Sequence, residues 1–263
     1  MTSTRKSPKA KPAVAGKRKA APAKAGKRPP PRPTAPIELY YWPTPNGWKI
    51  SIMLEECGLP YVVHPIDISS GDQFSPHFLA ISPNNRIPAI VDPAGPGGKP
   101  ISVFESGAIL QYLGRKTGKF YPSEERARVA VEEWLFWQMG GLGPMAGQAN
   151  HFRHYAPEKI EYGINRYTDE VNRLFGVMNK RLAARDFLAG RYSIADMACV
   201  GWVRIAERMG QDLALFPHLK RWFEAIRARH AVQRAFAIRV EAASAVDMHD
   251  PKVRAVLFGQ RAK

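Results

Sequence analysis

Residues 37–60 read IELYYWPTPNGWKISIMLEECGLP, and their texture changes sharply twice. Ile37–Tyr41 is a short apolar and aromatic run of strand type. Pro43, Pro45 and Gly47 then break it. A helix is expected from about Asn46, because Ile50, Met53, Leu54 and Cys57 recur at i, i+3, i+4 and i+7 and share one buried stripe. Gly58 and Pro60 end that helix. A strand running straight into an amphipathic helix is the first half of a β–α–β unit.

The following residues supply the rest. YVVHPI (61–66) reads as a second strand, and the polar loop DISSGDQFSP leads through a short helical turn to a third, IPAIVD (87–92). The Gly/Pro-rich PAGPGGKP makes a hairpin connection to a fourth, ISVF (101–104), and ESGAILQYLGRKTG closes the unit as a helix. The order βαβαββα is that of the thioredoxin fold. From Ser123 onward the pattern is helical, with strong segments over 124–140, 158–183, 193–209 and 217–229. Ser193 and Asp196 stand as S-x-x-D at the start of the third, a capping arrangement. Periodicity is lost past about 240. The expected organisation is an arm (1–36), a thioredoxin-like α/β domain (37–120), an all-α helical bundle domain (121–240) and a loose tail (241–263).

Charge separates the arm from the rest. Of the chain's 39 Lys and Arg, eleven lie in residues 1–36, which hold none of the 23 acids. The remainder carries 28 bases against 23 acids, so most of the formal +16 belongs to the arm. That segment is Lys, Ala and Pro with almost no large apolar residue, and it cannot bury enough surface to offset its ordering entropy. It is expected to be disordered, either a weak polyanion-binding arm or a solubilising leader. It lacks the apolar stretch of about 7 to 15 residues that a secretory signal needs. Nowhere does the chain approach the roughly 20 apolar residues of a membrane span. Two cysteines, Cys57 and Cys199, neither in a CxxC, are too few for a disulfide scaffold and fit a reducing, cytoplasmic compartment.

Four motifs point to binding of a thiol peptide. In YWPTPNG (41–47) a helix begins straight after a strand. Its N-terminus carries about half a positive charge and free N–H groups, which favour a thiolate. The Thr44 hydroxyl and the Asn46 amide N–H are donors for that sulfur, although Asn46 in this position could equally be a helix cap. In NNRIPAI (84–90) a cis Pro88 would expose the N–H and C=O of Ile87 as a strand edge to which a peptide adds; an ordinary trans Pro entering an edge strand is the plainer reading. In FESGAIL (104–110) Ser106, at a helix start, could hold a carboxylate and Glu105 an α-amino group, together one amino-acid end. A simple Ser cap is the alternative. GDQF (71–74) offers the Gln73 amide.

These motifs, in this order, resemble the N-terminal domain of glutathione transferases. The match is nearest the bacterial Nu class of glutathione-dependent disulfide-bond oxidoreductases, and WLFWQMGGLGPMAGQANHFRHYAPEKIEYGINRY and YSIADMA resemble the same class. The likeness covers roughly residues 37–235. It implies that Thr44 and Asn46 contact the glutathione sulfur, Gln73 and Ile87 (ahead of Pro88) the peptide backbone, and Glu105 with Ser106 the γ-glutamyl group. Arg166 matches an arginine that reaches glutathione from the helical domain, with an i,i+4 pair to Glu170 as its plainer role. Arg86 stands where relatives often carry Lys, which keeps the charge and changes its geometry. The resemblance further implies a homodimer and bound glutathione, not a protein cysteine, as the thiol that reduces a small disulfide. Conjugation to an electrophile, peroxide reduction, and a non-catalytic binding or regulatory module of the same fold are the competing functions.

Other features take structural readings. GGLGP (140–144) has neither a preceding strand nor a following Lys-Ser/Thr and is expected to bend a helix rather than cradle phosphate. His151 and His154 lack a third ligand nearby, so no metal site is expected. Trp134, Phe136 and Trp137 are read as core or cleft wall, Tyr40 and Tyr41 as structural, and Cys57 as core.

Overall fold

In the computed structural model, which describes residues 1–2, 35–241, 246–247 and 250–261, Ile37–Tyr41 forms β1 at the centre of a four-stranded sheet. The reading of residues 1–36 as a disordered arm falls on positions 3–34, outside the described residues. The sheet order is β2 (Tyr61–Pro65), β1, β3 (Ala89–Asp92), β4 (Ile101–Phe104). β1 runs parallel to β2, with Leu39 opposite Val63, and antiparallel to β3, with Leu39 opposite Ile90. β3 and β4 are the expected hairpin. Parallel pairing requires a crossover, and α1 (Pro45–Cys57) provides it.

Alternation along β1 divides two cores. Leu39 and Tyr41 face the main core, whereas Tyr40 turns to a smaller cluster with Ile66, Phe78, Ile81 and Ala89. Phe78 and Ile81 come from α2 (Pro76–Ile81), the short helical turn. On the other face lie α1 and α3 (Ser106–Thr117). The α1 stripe Ile50, Met53, Leu54 and Cys57 is buried as its phase requires. Ile52, off that stripe, is also buried, because α1 is covered on its far side by helices of the second domain.

Those helices are α4 (Glu125–Trp137), α5 (Gly143–Asn150), α6 (Glu161–Leu182), α7 (Ile194–Val203), α8 (Pro217–Arg227) and α9 (His230–Ala237). α4 continues into α5 through one wide turn, Gln138–Leu142, and α5 ends in another, His151–Tyr155. Pro144 explains the first. It has no N–H for the fourth-preceding carbonyl and its ring clashes there, so the helix gains a residue in that turn. At GGLGP, where a bend is expected, the helix carries this wide turn. α7 is buried along its whole length, and the Ser193–Asp196 capping box expected at its start is formed in both directions. α9 grips α1 through Arg229, whose guanidinium donates to both Glu56 carboxylate oxygens at 2.5 and 2.8 Å.

Two expectations need correction. Residues past 240 are not a featureless tail: Pro251–Phe258 forms α10, capped by Asp250, and Phe258 lies 4.7 Å from the His151 ring and stacks on Tyr155. Its apolar residues find aromatic partners about a hundred positions away, which local periodicity does not register. Phe136, read as core or cleft wall, is an exposed residue, while Trp134 and Trp137 pack edge to face. No helix among the described residues is long and apolar enough to cross a membrane.

Candidate functional site

Two helix N-termini and one strand edge converge on the same end of the sheet. At the first, Thr44 is the cap residue of α1: its backbone is extended and its Oγ1 accepts from Gly47 N–H at 3.2 Å. Thr44, not Asn46, is thus the cap, and Asn46 sits in the first turn with its side chain unengaged. Because Thr44 Oγ1 only accepts there, its own hydrogen remains available to donate outward. Pro45 has no N–H, so Asn46 N–H is the first main-chain donor of the helix. The turn is held from below: a Cβ on Gly47 would lie 2.2 Å from Trp42 O, and one on Gly201 of α7 would lie 2.8 Å from Pro45 O. Glycine at 47 lets α1 close onto the end of β1, and glycine at 201 lets α7 press against the start of α1.

The Ile87–Pro88 peptide bond is cis, as expected for an exposed strand edge. Pairing between β1 and β3 ends at Ala89, so the Ile87 N–H and C=O lie beyond the ladder. Arg86 beside it is exposed, and its carbonyl accepts from Ser82 Oγ at 2.9 Å, which fixes the approach to the edge.

The second N-terminus opens α3. Its cap residue is Glu105, at φ 67°, ψ 116°, and no side chain satisfies the first-turn donors. A glutamate with positive φ is strained by roughly 1–3 kcal/mol, and such strain concentrates at ligand clamps. Its carboxylate turns away to Asn84 Nδ2 at 3.3 Å. Ser106 stands at the first helical position, so the simple Ser cap is not what forms. Uncapped N–H groups beside a hydroxyl make a ready anion site.

Behind Ser106 lies a residue that the sequence reading missed. Lys49 on α1 is 1% exposed, and its Nζ donates to Ser106 Oγ at 3.3 Å, Gln138 Oε1 at 2.7 Å and Met139 Sδ at 3.7 Å. Burial brings its ammonium down to about 7, with the Cys199 thiol and Glu105 acting weakly the other way. The signal was present, since Lys49 stands four residues before Met53 and eight before Cys57, on the buried phase of the helix.

The remaining candidates divide. Gln73 is buried, with Nε2 donating to Ile68 O at 3.0 Å and Oε1 without a partner. In this arrangement its Nε2 braces the loop and its Oε1 is left without a partner, so the amide is not displayed at the surface. Arg166 on α6 is about half exposed and only 3.9 Å from Glu170, which Arg173 holds at 2.7 Å. The expected i,i+4 pair therefore exists in loose form and leaves the guanidinium free to turn. Tyr40 donates to Glu38 at 3.1 Å and burial pushes its hydroxyl up to about 12. Tyr41 and Cys199 are fully buried, and desolvation raises the pKa of each. Burial also pushes the Cys57 thiol up. None of these four is poised to ionise near neutrality. His154 is engaged with Arg208 O at 2.7 Å, and no cluster of three potential metal ligands occurs among the described residues.

Comparison with known proteins identifies the family. Residues 44–116 match the model of the glutathione S-transferase N-terminal domain and residues 147–230 that of the C-terminal domain. The disulfide-bond oxidoreductase YfcG of Escherichia coli is 55% identical over 202 residues, covering 76% of this chain and 94% of that protein. A Pseudomonas putida glutathione transferase, solved with one glutathione disulfide per subunit, superposes with a TM-score of 0.74 at 43% identity, covering 78% of this chain and 92% of that one. One from Pseudomonas fluorescens, solved with two glutathiones bound, superposes with a TM-score of 0.74 at 45% identity, covering 80% and 96%. With both domains matched in order and a relative 55% identical over most of its length, the chain belongs to the glutathione transferase family.

Proposed function

We propose that the protein is a glutathione-dependent disulfide-bond oxidoreductase in which bound glutathione is the working thiol. The observation that carries this is the pairing of open helix ends with inaccessible cysteines. The α1 and α3 N-termini present main-chain donors at one end of the sheet, while Cys57 and Cys199 are buried with raised thiol pKa values. The relatives named as a disulfide-bond oxidoreductase and solved with glutathione disulfide support the same reading.

The glutathione sulfur sits at the α1 N-terminus, where the Thr44 hydroxyl and Asn46 donate to it. Ile87 pairs with the cysteinyl backbone, Ser106 and the α3 N–H groups hold the γ-glutamyl carboxylate, and Glu105 takes its amino group. Arg86 and Arg166 supply positive charge at the rim. An ordinary thiol, of pKa about 8.5, is a few per cent ionised at pH 7, so lowering it by one or two units raises the thiolate several-fold or more. The thiolate attacks one sulfur of the substrate disulfide, and the other leaves as a thiolate that takes a proton. A second glutathione attacks the glutathione sulfur of the mixed disulfide. Glutathione disulfide forms and the second substrate thiol is released.

The proposal extends to a homodimer working in the cytoplasm, with residues 37–120 as the glutathione-binding domain and 121–240 as the helical domain. Residues 1–36 would bind polyanions weakly through their charge. The test is the Thr44→Ala/Asn46→Ala double variant, assayed for glutathione-driven reduction of a small disulfide. Loss of donors acting on the thiolate costs on the order of 2 to 4 kcal/mol, about 30- to 900-fold in kcat/KM. Wild-type turnover in a variant of native helix content would refute the site.

A further inference from the structure

Lys49 is a buried cation whose partners are all uncharged. Its three acceptors are a hydroxyl from α3 and an amide and a thioether from the Gln138–Leu142 turn. The ionisable groups that bear on it are the Glu105 carboxylate, which points to Asn84, and the Cys199 thiol on α7, itself protonated. A buried charge without a counter-ion is costly, and a group so placed resolves the cost by losing its proton or by acquiring an anion. The uncapped anion site beside it is the α3 N-terminus, and Ser106 stands between the two. Its Oγ accepts from Lys49 Nζ, while its hydrogen reaches only Met139 Sδ, at 3.8 Å, a weak acceptor. A carboxylate at the α3 N-terminus would give that hydrogen a strong acceptor.

We propose that Lys49 is a positioning residue for glutathione: through Ser106 it acts as the counter-charge of the γ-glutamyl carboxylate and takes up a proton as that carboxylate binds. This rests on the reading of Ser106 as the carboxylate site. The lysine gains an N–H bond to a proton from solvent, and no other covalent bond changes. A negative unit charge roughly 5 Å away in a medium of effective dielectric about 20 raises an ammonium's pKa by about two units. Lys49 therefore moves from mostly neutral to mostly charged at about pH 8 when the site fills. Binding then favours the protonated protein, and affinity falls as pH rises from about 7 to 9, by up to roughly tenfold per unit. Because Lys49 also holds Gln138, occupancy of the carboxylate site tightens the contact between α1, α3 and the wide turn.

The probe is S-methylglutathione, which has no thiol proton to release. Its binding is measured by calorimetry at about pH 8 in two buffers of different ionisation enthalpy, and its affinity is followed from roughly pH 6.5 to 9. Wild type should take up more than half a proton per ligand beyond the uptake of Lys49→Met. The variant should bind about 10- to 100-fold more weakly near pH 7 and lose most of the pH slope. In turnover, Lys49→Met should raise KM for glutathione and leave kcat nearly unchanged, as expected for a group that acts equally on ground and transition states. Lys49→Met removes a desolvated charge and is expected to fold. Should it not, Lys49→Gln and the slope of wild type against Ser106→Ala carry the same comparison. Equal proton uptake by wild type and Lys49→Met, with Ser106→Ala binding weakly, overturns the role of Lys49 and leaves the carboxylate site standing. Unchanged affinity in both variants overturns the site itself.

Discussion

Replacing Asp196 by alanine should be among the most damaging single changes in the protein, and the structure sets the size of the effect. Asp196 is fully buried and accepts four hydrogen bonds. Oδ1 takes Leu188 N–H at 3.0 Å and Trp222 Nε1–H at 2.8 Å, and Oδ2 takes Ser193 N–H at 3.0 Å and the Ser193 hydroxyl at 3.2 Å. Alanine leaves three N–H donors buried without acceptors; the hydroxyl can rotate elsewhere. Each orphaned donor costs about 1–3 kcal/mol, partial relaxation recovers some of it, and the expected loss is about 3–5 kcal/mol. Asparagine keeps the Leu188 and Trp222 bonds through its own Oδ1 and opposes one donor with another, at Ser193 N–H, so it should cost about 1–2 kcal/mol.

The pH dependence separates the two effects. Burial pushes the Asp196 carboxyl up to about 6, against its four donors. A carboxyl whose folded value exceeds its unfolded one stabilises the fold most below about pH 4. That stability is lost as pH rises through about 6, here by roughly 3 kcal/mol. The asparagine variant would lack the titration, so the gap between wild type and Asp196→Asn should be widest near about pH 4 and narrow above about pH 6. The assay is urea unfolding followed by tryptophan fluorescence at fixed protein concentration, with m unchanged and the midpoint shifted. An alanine variant within about 1 kcal/mol of wild type, or an asparagine variant as damaged as alanine, would refute this account. α7 also presses Gly201 against Pro45, so the alanine variant should raise KM for glutathione under conditions where it remains folded.

Cys57→Ala combined with Cys199→Ala should lower stability by about 1–3 kcal/mol, as buried changes do, and leave glutathione-driven reduction running; lost activity in a folded, glutathione-binding variant would point to a protein thiol instead. Removing residues 1–36 should leave turnover unchanged and abolish a polyanion affinity that falls steeply with salt. Equal, salt-insensitive binding by full-length and truncated protein would place the binding on the folded domains.

The parts of the fold readable from the sequence are those whose signals are local and repeated. The α1 stripe, the break at Pro43 and Pro45, the β3–β4 turn and the S-x-x-D at Ser193 each fix geometry within a few residues, and each appears where its spacing put it. α9 and α10 give no legible periodicity because each is only eight residues long. α9 follows α8 after a two-residue gap, and its identity rests on Arg229 and Arg234 reaching Glu56 and Glu55 on α1. Those pairs span more than 170 positions of sequence, and no window along the chain contains both ends.

The site divides along the same line, with a difference that matters for its chemistry. The cap at Thr44, the cis peptide after Ile87 and the helix start at Ser106 are each set by the turn in which they stand, so motif reading reached that local geometry. Gln73 lies in a shorter and weaker motif, GDQF, and where its amide points depends on how the loop is covered; its Nε2 turns inward to Ile68. Lys49 is the converse. Its residue type suggests an exposed helix face, and its phase on the Met53–Cys57 side argues against that. Phase alone could have found it, because a lysine on a buried stripe must either meet an anion or give up its proton. What phase could not supply is the neighbour: Ser106 and Gln138 come from 57 and 89 residues away and belong to different domains. Ser106, the proposed carboxylate site, and Gln138 of the wide turn therefore share one buried amine, and on that proposal a ligand that charges it acts on both.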